Sequence, residues 1–148
     1  MEWYTSLVKR SLFVVLAGLT AIAGATPQHN VTGQWHGQIH FDMARVPMGK
    51  DRRQNSARIQ YLQKIQQAKL SLTIKGDHTY ALSVNMAGLV EKYNGRWSLN
   101  GSALTIEQMV AGRYSGTPQT YTFDKTWRSF SLVKVDNAGL NSTVSYFR

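Results

Sequence analysis

The chain has 148 residues, no cysteine and a formal net charge of +9. The absence of cysteine excludes a disulfide-stapled fold, a thiolate nucleophile and lipid attachment through an N-terminal cysteine. The positive charge favours acidic partners such as phospholipid, lipopolysaccharide, wall polymer or nucleic acid, or else serves solubility alone.

Residues 1–25 have the three-part pattern of a secretory signal peptide. Lys9 and Arg10 precede an apolar run from Leu12 to Ala23, and small residues follow it. The run is shorter than the roughly 20 residues that a membrane helix needs, although a signal-anchor is the alternative. We therefore predict cleavage after residue 25, a secreted or periplasmic location, and a single domain over residues 26–148.

Three Asn-x-Ser/Thr sequons begin at Asn30, Asn100 and Asn141. In a eukaryotic secretory pathway they would be glycan acceptors. We favour a bacterial exported protein, in which they carry no glycan. Asn100 and the glycine after it are then better explained as a hairpin turn, because both residues tolerate positive φ.

Period-2 alternation dominates the chain after a short polar lead. In Val31 to Phe41 the odd positions, including Trp35, form one face, and the polar positions, including His36 and His40, form the other. Seven further alternating stretches follow at short spacing, joined by turn residues: KLSLTIKG, TYALSV, YNGRWSL, SALTIEQ, QTYTFD, WRSFSLVK and NSTVSYF. Eight such strands predict a mainly β domain, either a sandwich or a meandering barrel.

The segment from Asp51 to Ala68 breaks this alternation. It lacks glycine and proline, is rich in helix-forming Gln, Arg and Lys, and begins with a capping-box-like pair, Asp51 and Gln54. Its apolar residues fall within one sector of a helical wheel: Ala57, Tyr61, Leu62, Ile65 and Ala68. We predict one amphipathic helix between the first and second strands, either flanking the barrel or serving as a lid or basic membrane-facing helix.

The pair Gly33-x-Trp35 and the later stretch GRWSLNGSALTI resemble motifs of the lipocalin-like (calycin) group of small bacterial exported barrels. The resemblance implies an eight-stranded up-and-down antiparallel barrel that binds small apolar molecules rather than catalysing a reaction. It also suggests that a late arginine, Arg128 or Arg148, covers Trp35. The Thr-Asp-Tyr signature of many lipocalins is missing, and a helix after the first strand is closer to fatty-acid-binding proteins, which place two helices there.

His36, His40 and Asp42 raise the question of a metal site. Residues four apart on a strand are about 13 Å apart, so the two histidines cannot share one metal held at about 2.1 Å. His40 and Asp42 are closer, but no obvious third ligand accompanies them. No acid/base pair, nucleophile elbow or phosphate-binding loop is recognisable. We therefore expect no catalytic residues, no metal and no cofactor.

The inner face of the predicted barrel is the remaining candidate site, and it is either filled by its own side chains or large enough for one small ligand. The expected ligand-lining residues are Trp35, Phe41, Tyr61, Ile65, Tyr80, Trp97, Tyr121 and Phe123. A basic rim is expected from Arg52, Arg53, Lys64 and Lys69.

We expect a monomer that binds a small apolar or amphipathic molecule, with peripheral contact to anionic membrane or wall polymer. No run of basic residues resembles a nucleic-acid motif, so no nucleic-acid partner is expected. The alternative is a basic envelope module that docks on an acidic polymer or partner protein and has no ligand cavity.

Overall fold

The computed structural model describes residues 29–114 and 117–148. Residues Val31–Arg148 form one compact unit. The predicted signal peptide and its cleavage site lie outside the described residues.

The described part is dominated by antiparallel strands: β1 (Gly33–Phe41), β2 (Lys69–Ile74), β3 (Thr79–Met86), β4 (Leu89–Asn100), β5 (Ala103–Val110), β6 (Arg113–Tyr114), β7 (Gln119–Phe123), β8 (Ser129–Val135) and β9 (Asn141–Phe147). Neighbouring strands pair in the order β4-β3-β2-β1-β9-β8-β7-β5, and a β4–β5 pairing closes the ring. The two-residue β6 pairs with the end of β5 and stands outside this ring. The predicted eight-stranded up-and-down antiparallel barrel is thus confirmed.

One end of the barrel, the closed end, holds the β2–β3, β4–β5 and β7–β8 turns and the fully buried ring of Trp35. The indole meets Phe123 and Phe130 edge to face, with ring centroids 5.7 and 4.8 Å away. Its N–H donates to the Val31 carbonyl at 3.0 Å. The guanidinium of Arg148 lies 4.0 Å from the ring centroid and donates to the Thr32 carbonyl. Arg148 therefore has the covering position that the sequence left open.

Two inward-facing glycines make room for tyrosine rings inside the barrel. A Cβ on Gly37 would lie 2.5 Å from Cε1 of Tyr146, and a Cβ on Gly95 would lie 2.8 Å from Cε1 of Tyr80. Ordinary contacts of a Cβ are 3.4–4 Å, so neither position has space for a side chain. The two rings therefore pack directly against the backbone of β1 and β4.

The predicted helix, α1 (Arg52–Gln66), lies between β1 and β2, as expected. Asp51 is its N-cap, and its carboxylate accepts from the backbone N–H of Arg53 at 2.8 Å. Leu62 is the buried residue of α1 and packs with Val46 and Leu140, beside Phe41 and Met43. The side-chain oxygen of Gln66 also accepts from the backbone N–H of Phe41. These contacts fix α1 to the far end of β1, opposite the closed end.

A short 3-10 helix, Met43–Arg45, joins β1 to the segment before α1. Among the helices of the described residues, none combines the length and the apolar character that crossing a membrane requires.

Candidate ligand site at the open end of the barrel

The two halves of the barrel's inner face differ in burial. Cross-strand partners share a face, so the register identifies the inward rows. In the half near the closed end most of these positions are fully buried, for example Leu72, Leu104 and Phe130, while Trp97 and Leu99 are partly buried. In the other half the inward apolar residues are only partly buried: Ile39, Leu82, Val84, Leu132 and Val144. We call these five residues the inner cup, and the end of the barrel where they lie the open end.

The members of the cup lie on two sides of the barrel. Val144 pairs with both Ile39 and Leu132. Leu82 and Val84 form the opposite side through β3, where they pair with Leu72 and Leu70 of β2. The inner cup therefore consists of partly exposed apolar side chains on two facing parts of the barrel wall.

Buried tyrosines form the floor of the cup. The rings of Tyr80, Tyr121 and Tyr146 are almost completely covered. The Tyr121 hydroxyl donates to the Gln119 side-chain oxygen at 3.2 Å, one inward position nearer the open end. Burial raises the pKa of Tyr121 to about 12, and burial also raises the pKa of Tyr146. Both hydroxyls stay protonated at neutral pH and present neutral polar groups to the cup.

A lysine continues one inward row of the cup. Lys134 follows Phe130 and Leu132 on alternate positions of β8 and pairs with Ser142 of β9. Burial lowers the pKa of Lys134, because desolvation disfavours the charged amine. Among the described residues no carboxylate forms an ion pair with it. Lys134 thus places a positive group without a protein counter-ion beside the apolar cup.

A second polar group lies on β4, across the barrel from β8. Tyr93 pairs with Leu82 and therefore faces inward, and its hydroxyl donates to the carboxylate of Glu91. This hydrogen bond raises the pKa of Tyr93. Glu91 faces inward as well, because it pairs with Val84. At the open end the inward groups of β4 are therefore polar and hydrogen-bonded to each other. On β8, by contrast, the amine of Lys134 forms no ion pair within the described residues.

The sequence-predicted lining residues divide among three places. Trp35, Phe123 and Trp97 lie in the closed half, where Trp97 stacks on His78 and donates to the Lys75 carbonyl. Tyr80 and Tyr121 belong to the floor of the cup. Phe41 and Ile65 are half-buried, and Phe41 lies at the junction of α1 with β1.

Tyr61 is 65% exposed and so lies outside the cup instead of in its lining. The physical reason is that α1 meets the barrel along a narrow stripe, and Leu62 occupies that stripe. The sector of the helical wheel that contained both Tyr61 and Leu62 is wider than the surface of α1 that contacts the barrel.

The four residues of the expected basic rim are exposed: Arg52, Arg53, Lys64 and Lys69. The first two line a shallow groove of about 370 Å³ on the outer side of α1, together with Ser56, Ala57 and Gln60. They lie at the open end because α1 is fixed there, but the groove itself is separate from the inner cup.

The expected ligand-lining set omits the five residues of the inner cup and three residues beside it, Gln119, Lys134 and Tyr146. The alternation already placed most of them on inward faces, so the signal was present. Aromatic residues were preferred because they supply more contact area, but the largest rings fill the closed half instead of lining open space.

The polar cluster at the start of the chain does not converge. His36 and His40 are exposed on the outer face of β1, and Asp42 pairs with Arg45 at 3.3 Å. Within the described residues, no three His, Asp or Glu side chains come close enough to share a metal ion.

Comparison of the chain with protein-family models, with curated protein sequences and with solved structures finds no match. What is established is a closed eight-stranded antiparallel barrel with one helix, an architecture consistent with a lipocalin-like fold.

Proposed function

We propose that the chain is an exported, lipocalin-like barrel that binds one small amphipathic molecule in the inner cup. The observation that carries this proposal is the difference in burial between the two halves of the inner face. Covering apolar surface that water reaches contributes about 25 cal/mol per Å². A ligand that covers Leu82, Leu132 and their neighbours gains this contribution, whereas most inward side chains of the closed half are already fully buried.

The polar groups indicate the chemistry of the ligand. Its apolar part would contact Leu82, Val84 and Leu132, and its polar part would face Gln119 and Lys134. An anionic head group is favoured because Lys134 has no carboxylate partner among the described residues. Lys134 is exposed, but its amine is partly desolvated, and its attraction to an anion is stronger than in bulk water because the local dielectric constant is lower.

Filling the cup provides the first test. Leu132→Trp places a large side chain inside the cup, while Val133→Trp places the same side chain on the outer face, where Val133 is 63% exposed. We expect Leu132→Trp to weaken binding of the neutral dye N-phenyl-1-naphthylamine by about tenfold or more, and Val133→Trp to leave it unchanged. Equal dye affinity in the two variants, both shown to be folded by circular dichroism, would contradict the proposal.

The charge of Lys134 provides the second test. Lys134→Gln keeps a polar side chain but removes the positive charge. We expect it to weaken binding of the anionic dye 1-anilinonaphthalene-8-sulfonate by about tenfold, the equivalent of 1.4 kcal/mol, and to leave the neutral dye unaffected. Lys125→Gln, in the β7–β8 turn at the closed end, is the matched control. A loss for both dyes, or for neither, would remove the anionic head group from the proposal.

A basic docking module is the second candidate, favoured by the outer face of α1. Arg52, Arg53, Arg58 and Lys64 lie on this helix, and its sequence contains no acidic residue. Docking of this kind weakens steeply with ionic strength because exposed charges are screened, whereas binding of the neutral dye in the apolar cup does not. Salt dependence of ligand or partner binding therefore separates the two candidates.

A further inference from the structure

Exposed apolar side chains are concentrated at the open end of the barrel. Leu89 and Val90 follow the β3–β4 turn, Met109 and Val110 precede the β5–β6 turn, and Val133 and Val135 end β8. We call these six residues the apolar rim. Among the described residues of the closed end, Phe147 is the large apolar side chain with comparable exposure.

This distribution is unusual for a surface that only meets water. Single exposed apolar residues are common, but a group around one opening marks an interaction site. Leu89 and Val135 are 62% and 66% exposed, so most of the surface of each residue is in contact with water. The rim lies at the ends of three separate strands, β4, β5 and β8, so a broad, flat partner would contact it more fully than a narrow one.

Basic residues surround the same opening: Lys69, Lys92, Arg113 and Lys134, with the arginines of α1 beside them. The acidic residues of this end are engaged within the chain. Asp42 pairs with Arg45, Asp136 accepts from the backbone of Ala138 and Leu140, and Glu91 accepts from Tyr93. The open end therefore presents apolar side chains within a positively charged surround.

From this arrangement we infer that the open end docks on the surface of an anionic phospholipid bilayer. The apolar rim enters the boundary between head groups and acyl chains, and the surrounding lysines and arginines approach the lipid phosphates. Apolar burial and attraction to anionic lipid together give interfacial binding, and each basic residue near such a surface adds to it. The inner cup then faces the lipid. The inference goes beyond ligand binding and does not depend on it.

A soluble acidic polymer fits the same surface less well. It would neutralise the lysines and arginines but would leave the rim in water, since a polymer chain provides no apolar phase. A bilayer satisfies both features at once. The two partners therefore differ in how they respond to loss of the rim.

Vesicle co-sedimentation tests the inference, with a protein of residues 26–148 and phosphatidylcholine vesicles prepared with or without phosphatidylglycerol. We expect binding to the anionic vesicles only. Leu89→Ser together with Val110→Ser should lower the partition coefficient by about tenfold, because two apolar side chains no longer insert. The matched control is Phe147→Ser, which removes an apolar side chain from the closed end and should leave the partition coefficient unchanged.

Site-specific fluorescence gives a second measurement, which detects insertion of the rim into lipid directly and not through weakened vesicle binding. The chain has no cysteine, so Val110→Cys can be labelled uniquely with a polarity-sensitive dye. Its emission should shift to the blue when anionic vesicles are added, while the same dye on Phe147→Cys should not respond. The affinity of the same variants for the neutral dye N-phenyl-1-naphthylamine, measured without vesicles, tests ligand binding in the inner cup separately.

Three results would overturn the inference. The first is unchanged binding of the double serine variant together with no blue shift at position 110. The second is equal binding to neutral and anionic vesicles. The third is binding to soluble polyphosphate as tight as to the anionic vesicles, with no effect of the serine substitutions, which would identify a purely electrostatic docking surface.

Discussion

The ring of Tyr146 lies against the backbone of Gly37 on the inner row of β1. A Cβ added there would be 2.5 and 2.6 Å from two carbon atoms of that ring and 2.9 Å from Cβ of Leu70. The ring cannot easily retreat, because it is 1% exposed and stacks on Phe130 with centroids 5.1 Å apart. Gly37→Ala therefore requires a shift of about 1 Å in a packed interior to restore ordinary contact distances.

The expected cost follows from two opposing effects. Overpacking of this kind costs typically 1–3 kcal/mol. Replacing glycine by alanine returns about 0.4–1 kcal/mol by restricting the unfolded chain. We expect Gly37→Ala to lower the free energy of unfolding by about 1–2 kcal/mol. Guanidinium denaturation followed by tryptophan fluorescence should show a lower midpoint with an unchanged slope.

Gly76→Ala is the matched control, because a Cβ at this turn position would meet no atom within 4 Å. It should leave stability unchanged or raise it by up to about 1 kcal/mol. A second variant identifies the obstacle: in a Tyr146→Leu background, Gly37→Ala should cost less than in the wild type, since the ring is absent. If Gly37→Ala is as stable as Gly76→Ala, the reasoning about close packing at Tyr146 is refuted.

Three further predictions concern the core, the tyrosines and the helix. Trp35→Ala should cost about 3–5 kcal/mol in chemical denaturation, and His36→Ala, next to it on the exposed face, less than about 0.5 kcal/mol; similar costs would contradict the inward position of Trp35. The pKa of Tyr121 is raised on folding, so its contribution to stability is complete below about pH 10 and is lost as the pH rises toward 12. Tyr121→Phe should therefore reduce the fall in melting temperature over that range, and an identical fall would refute the assignment. If α1 gates the cup, its amides should exchange faster than those of the strands and slow when N-phenyl-1-naphthylamine is added; uniformly slow exchange with no response would leave α1 a purely structural helix.

The sequence determined the elements and their faces. Alternation with period 2 identified the strands, and β9 has the predicted limits of Asn141 and Phe147. β4 ends at Asn100, and Gly101 adopts a φ of +56°, as the predicted hairpin turn requires. The helix begins after Asp51, which caps it. These features depend on interactions within a few residues along the chain, so they can be predicted from one sequence.

Tertiary structure alone decided which inward positions are filled and which stay open. Period 2 gives the face of a residue but not its height in the barrel, because height depends on the register between strands that are distant in sequence. Tyr121 and Leu132 both face inward, yet only the first is fully buried. The same limit left open whether Arg128 or Arg148 covers Trp35, and the structure assigns that position to Arg148. The apolar side chains at the ends of β4, β5 and β8 likewise come together only once the strands have paired and the ring has closed.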